Sequence, residues 1–178
     1  MAPLFVIAPL VISARDRAWI EAIRREHDPQ AGVVEAHVTF VFGVRGLSLE
    51  DMTAHVEAIA RATPPISFHL DRAVAVRDET GAGSHVFLTL SDGAAEAGAL
   101  CRALYDGPPA PEFRSDIPHV PHVTVAAFSD HEEAGRLAEG LTARGFSIAG
   151  ALDRLDLVAF DGRTLDRLQS FPLGFRSA

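Results

Sequence analysis

The 178-residue chain contains no lysine and no asparagine, and its 16 basic residues are all arginine. A genome-composition bias accounts for this, but the absence has a chemical consequence. Neither a lysine nucleophile nor a Schiff base is open to the protein. There is one cysteine, Cys101, so no internal disulfide can form, which fits a reducing compartment. Cys101 falls with Leu100 and Leu104 in a helix-like stretch and reads as a packed thiol. Positive charge is scarce. The net charge of −8 excludes a broad, non-specific grip on nucleic acid, which needs many cation–phosphate contacts. One nucleotide or one RNA end in a locally basic cleft stays open. Long apolar runs are missing too. Leu4–Ile12 is interrupted by Pro9, is too short to span a bilayer and has no basic segment before it. It reads as a buried strand, and the expectation is a soluble, cytoplasmic, monomeric protein with no membrane partner. No His, Cys and Asp residues cluster at convincing ligand spacing, so no metal and no cofactor are expected.

What remains is ordinary core-forming material. A 48% hydrophobic content with 22% charged residues is enough to bury a sizeable core, and the length fits a single domain over 1–178. Along the chain, Leu4–Ile12 is a strand and Ser13-Ala14-Arg15-Asp16 opens a helix to about Glu26. Glu35–Phe42 is a strand. Ser48-Leu49-Glu50-Asp51 opens a second helix ending before Pro64, and Ile66–Val76 is a strand. The order then begins again: strand His85–Leu90, helix Ser91–Tyr105, a Pro-rich loop over Asp106–Pro118, and strand Val120–Phe128. A helix capped by Ser129 runs to about Ala143, and Phe146–Phe160 is extended. Asp161-Gly162 is a hairpin signal, and Thr164–Leu173 is the last strand. Leu70-Asp71-Arg72 recurs as Leu152-Asp153-Arg154 at the corresponding stage. Two copies suggest a pseudo-two-fold pair of lobes, with approximate halves 1–80 and 84–178 that intertwine. The expected class is α+β. Two mostly antiparallel sheets should form a central cleft, with helices on the outside.

The repeat carries chemistry. His37-Val38-Thr39-Phe40 in the first half answers His122-Val123-Thr124-Val125 in the second. Residues two apart on a strand share a face, so His37 pairs with Thr39 and His122 with Thr124. Val38, Phe40 and Phe42, and likewise Val123, Val125 and Ala127, should face the core. Two imidazoles across a cleft suit proton transfer at a phosphate. One neutral ring takes a proton from the nucleophile and one protonated ring gives a proton to the leaving oxygen. The two hydroxyls can donate to non-bridging oxygens. Around this set, Phe128 lies on the His122 face by alternation and is a candidate base contact, with Tyr105 and Phe113 as other stacking candidates. Arg114 and His119 are further candidate substrate contacts in the loop before the second motif.

The doubled motif resembles the signature of the two-histidine phosphoesterases. The stretches His37–Gly43 and Pro121–Ala126 are similar to the bacterial branch named for RNA 2′,3′-cyclic phosphodiesterase and 2′–5′ RNA ligase activity. That resemblance implies a bilobal fold, His37 and His122 as the acid–base pair, Thr39 and Thr124 on the phosphate, and no metal. It implies a substrate that is a nucleotide or RNA terminus bearing a 2′,3′-cyclic phosphate. The alternatives are 2′–5′ ligation or cleavage, another cyclic-phosphate hydrolase, or a module that binds a phosphorylated ligand without turnover. Two positions depart from the pattern. Ala36 stands where many relatives have Pro, and Ala127 stands where many RNA-end enzymes have an Arg. The missing Arg removes one phosphate or RNA contact, and Arg114 is the candidate replacement.

Overall fold

A computed structural model describes residues 2–78, 81, 83–115 and 119–174. Its elements are β1 (Leu4–Pro9), α1 (Ala14–His27), β2 (His37–Val44), α2 (Leu49–Ala62), β3 (Ile66–Arg77), β4 (Ser84–Asp92), α3 (Ala94–Tyr105), β5 (His122–Phe128), α4 (His131–Arg144), β6 (Ile148–Leu152), β7 (Arg154–Phe160) and β8 (Leu165–Pro172). The α+β class and the repeated element order hold. One feature differs from the expectation of two sheets. The strands form one curled antiparallel sheet in the order β6-β3-β4-β5-β2-β1-β7-β8. The two lobes meet at β2 and β5, which are joined by the single registered pair Val38↔Val123. Strands of each half cross to the other: β3 lies beside β4 of the second half, and the segment expected as one extended stretch divides into β6, which pairs with β3, and β7, which pairs with β1. The helices exchange in the same way, α1 packing on β5 and α3 on β2.

Local signals place the helices. The Ser13 and Ser48 hydroxyls accept the N–H of Asp16 and Asp51 at 3.1 and 3.4 Å. At α4 the cap is Asp130, which accepts the Glu132 N–H at 2.7 Å, and not Ser129. A carboxylate one residue nearer the helix satisfies the same orphan donor with a charge-assisted bond. Helix α3 has no side-chain cap. Gly93 starts it at φ +77°, a left-handed conformation that favours glycine.

The main core lies between the sheet and the helices. Val38, Phe40, Val123 and Val125 are fully enclosed there, in one cluster with Ile20, Met52, Val56, Leu100 and Leu104. Cys101 is packed in that cluster, where burial pushes its thiol up to about 11. Both His/Thr strands break their alternation at the same place. Phe40 and Val41 are both buried, and so are Val125 and Ala126. The facing pairings shift register at these points, between Val6 and Ile7 and between Val86 and Phe87. An extra residue in one strand flips the side of everything after it. Phe42 therefore leaves the core and stands 49% exposed. Phe128 turns to the helical side, its ring 5.4 Å from that of His27 at the end of α1 and packed against the core. Both outcomes correct the simple alternation read from the sequence.

Candidate active site

The Val38↔Val123 pair fixes how the two motifs meet. In an antiparallel ladder through that pair, position 37 falls opposite 124 and position 39 opposite 122. Val38 and Val123 face the core, so all four neighbours face the other way, out of the helical layer. The result is a two-by-two array in which each histidine neighbours the other motif's threonine and the two histidines lie on a diagonal. In a regular ladder diagonal neighbours are about 7–8 Å apart, within reach of one small anion. All four residues are partly buried. A recess of about 570 Å³ between β3 and α4 is lined by residues such as Arg72, His131 and Thr142, and none of the four lines it.

The two imidazoles are held alike. His37 Nδ1 lies 2.7 Å from the Glu35 carbonyl oxygen, and His122 Nδ1 lies 2.6 Å from that of Val120. A carbonyl only accepts, so each Nδ1 carries the proton and donates it. In the neutral ring Nε2 is then left with a lone pair. Among the described residues no protein group bonds either Nε2 or the Thr39 and Thr124 hydroxyls. Burial is the main force on both rings and pulls their pKa below the usual value of 6.5. For His37, Arg24 adds to the lowering, while the Glu35 carbonyl and the charges of Asp28 and Glu35 oppose it. For His122 the Val120 carbonyl opposes burial, and His119, His37 and His85 repel a further positive charge, leaving it at about 4.

The other candidates divide. His119 lies beside the array. Among the described residues neither of its enclosed ring nitrogens has a hydrogen-bond partner, and burial lowers its pKa while the nearby Thr39 main chain opposes that. Tyr105 is buried, not open to a ligand: its hydroxyl oxygen accepts the Phe42 N–H at 3.0 Å and its ring packs on Phe113. It ties α3 to β2, which corrects the expectation of a substrate contact. Phe128 is taken by α1, as described. Arg114 is exposed in the loop between α3 and β5.

Two features were not anticipated. Phe87 of β4 stacks on His122 with ring centroids 3.6 Å apart and planes 17° from parallel. Its place in an alternating strand was readable, but not that β4 would pair with β5 so as to set position 87 diagonal to 122. The second is an ion network beside His37. The Glu35 carboxylate lies 3.4 to 3.5 Å from Arg17, Arg154 and Arg167. Arg154 and Arg167 also reach the fully buried Asp156 at 3.4 and 3.0 Å, and the Ser170 hydroxyl donates to it. The network pins the residue whose carbonyl orients His37. Only the Arg154–Asp153 contact had a hint in the repeated Leu-Asp-Arg triplet.

The family model of the 2′-5′ RNA ligase superfamily matches residues 12–164. No curated protein sequence matches. Among solved structures, E. coli LigT complexed with 3′-AMP shares 18% identity over 97% of each chain, with a TM-score of 0.61. TT0787 of Thermus thermophilus shares 19% over 98% of this chain and 100% of its own, at 0.62. Usb1 of Kluyveromyces marxianus shares 10% over 96% and 97%, at 0.53. At these identities the likeness is one of fold, while the family match spans most of the chain. With its doubled His-x-Thr motif on the two central strands, the chain belongs to the 2′-5′ RNA ligase superfamily of two-histidine phosphoesterases.

Proposed function

We propose that the protein is a metal-independent phosphodiesterase that opens 2′,3′-cyclic phosphates on nucleotides or RNA ends, with His37 and His122 as the acid–base pair and Thr39 and Thr124 on the phosphate. The observation that carries this reading is the array itself: two imidazoles on a diagonal, each with Nδ1 fixed by a backbone carbonyl and Nε2 free. Water attacks phosphorus while a neutral Nε2 takes its proton. The P–O3′ bond breaks, and the departing oxygen takes a proton from the other ring, leaving a 2′-phosphate. Each threonine hydroxyl donates to a non-bridging oxygen as charge builds there. Burial keeps both rings neutral near pH 7 in the free protein. The arriving phosphodiester is an anion and favours protonating one of them, which supplies the acid. The net charge of −8 favours a small ligand over a long RNA. The solved complexes of LigT with 3′-AMP, NADP+ and ATP are consistent with a nucleotide-sized ligand.

The test is incubation of the purified protein with 2′,3′-cyclic nucleotides in EDTA, followed by product identification. Turnover should persist and yield the 2′-phosphate. His37→Ala and His122→Ala should each cost about 10²–10⁴-fold in kcat with the fold intact. Equal rates in both variants and the wild type would end the reading. The family's description favours one second reading, 2′–5′ joining, in which a nucleoside hydroxyl replaces water at the same site. It predicts a 2′–5′ linked product when a hydroxyl-ended RNA is supplied.

A further inference from the structure

The two histidines match in motif and in backbone hydrogen bond, yet they differ in one respect. Of the two, only His122 has the ring of a described residue laid on its face. Phe87 covers it at 3.6 Å, and His85, two residues along β4, lies nearly parallel to Phe87 at 5.9 Å. The three rings form a column His85–Phe87–His122. Phe87 is half-buried and is not part of the hydrophobic core beneath the sheet, so core packing does not explain it.

We propose that Phe87 is a positioning residue of this site: its ring holds the His122 imidazole in one orientation, with Nε2 toward the cleft, and shuts water from one of its faces. The inference rests on the acid–base reading given above. Two restraints then act on the His122 ring. The Val120 carbonyl fixes rotation through Nδ1, and the Phe87 face fixes the ring plane. A base held in reach of its proton avoids the entropy of finding it, which is where a displaced ring loses rate. The groups facing His122 are His37 from β2, His119 from the loop before β5, and His85 from β4, with Asp78 3.7 Å beyond His85. All three histidines oppose a second positive charge, and burial opposes it more strongly. Phe87 provides one wall of that burial. Its removal lets water solvate the imidazolium.

The experiment combines NMR titration of the histidine ring protons with kcat and KM against pH on a 2′,3′-cyclic nucleotide, in the wild type, Phe87→Ala, Phe87→Leu and Phe87→Tyr. In Phe87→Ala the His122 midpoint should rise by about one unit or more toward the ordinary value. In the same variant kcat should fall by about tenfold or more while KM changes little. Phe87→Tyr, which keeps the flat ring, should restore both, and Phe87→Leu, which keeps only bulk, should fall between. An unchanged midpoint and kcat in Phe87→Ala would overturn the proposal. So would a downward shift, which would make the ring a cation–π partner of the imidazolium. Should Phe87→Ala fail to fold, wild-type midpoint and kcat in Phe87→Leu overturn it instead. If His37→Ala and His122→Ala left turnover intact, the acid–base reading would fall, while the titration would still report what Phe87 does to the ring.

Discussion

The depressed pKa of His122 has a cost in folding stability that can be measured without any substrate. Its folded pKa is about 4 against an ordinary 6.5. Above pH 6.5 the ring is neutral folded or unfolded, and the shift costs nothing. As pH falls from 6.5 toward 4, the unfolded chain takes up a proton that the folded chain refuses, so stability is lost across that window. Between pH 7.5 and pH 5 the full shift corresponds to about 2 kcal/mol. The ring edge is open to the cleft, and solvent screening reduces this to roughly 1–2 kcal/mol. With a urea m-value of about 2 kcal/mol/M, the unfolding midpoint should move by roughly 0.5–1 M. The carboxylates and the other histidines also titrate, so the informative comparison is with His122→Gln, which lacks this one proton site. Urea unfolding of both proteins at both pH values isolates the difference. The wild type should lose more stability on acidification than the variant by that amount. If the two lost stability in parallel, His122 would not be desolvated in the folded protein. The account of a neutral, water-shielded imidazole in the cleft would then be wrong.

Other expectations follow from the same geometry. The kcat/KM profile should be bell-shaped with its maximum on the acid side of 6.5, because burial lowers both rings in the free protein. The kcat profile should lie at higher pH, because a bound phosphate raises them; stopped assays from pH 4 to 9 check both. Thr39→Val and Thr124→Val should each lower kcat by about 10²-fold with thermal stability nearly unchanged, since neither hydroxyl bonds a described protein group; steady-state rates paired with melting curves test this. Phe40 is fully enclosed in the core, and Phe40→Ala should cost about 3–5 kcal/mol in urea unfolding. Gly93→Ala forces a side chain onto a backbone at φ +77° against the Ser67 carbonyl. It should cost about 1–3 kcal/mol by the same measurement, with little effect on KM.

Much of this architecture was legible because its signals are local. Helix starts were marked by Ser13 and Ser48, whose hydroxyls satisfy orphan N–H groups within one turn. The His-x-Thr faces were legible because alternation along a strand is fixed by backbone geometry alone. Alternation failed where the backbone stopped being regular. Nothing in Phe40-Val41 or Val125-Ala126 announces a bulge, since all four residues suit a core and the extra residue is accommodated by the partner strand. Simple alternation misplaces Phe42 and Phe128 for that one reason, and the tie made by Tyr105 is invisible along the chain because its Phe42 partner is 63 positions away.

The sequence by itself determined the order of the helices and of the central strands, the doubled motif, and the four side chains that share one face, because these depend on propensity, capping and the period of two. Only the tertiary structure decided that the lobes join through Val38 and Val123, that Phe87 lies on His122, and that Glu35 is clasped by three arginines. Those facts depend on strand register and on which chain segments pack together. Register is set by the summed burial of the whole sheet, a quantity that no short stretch of residues contains.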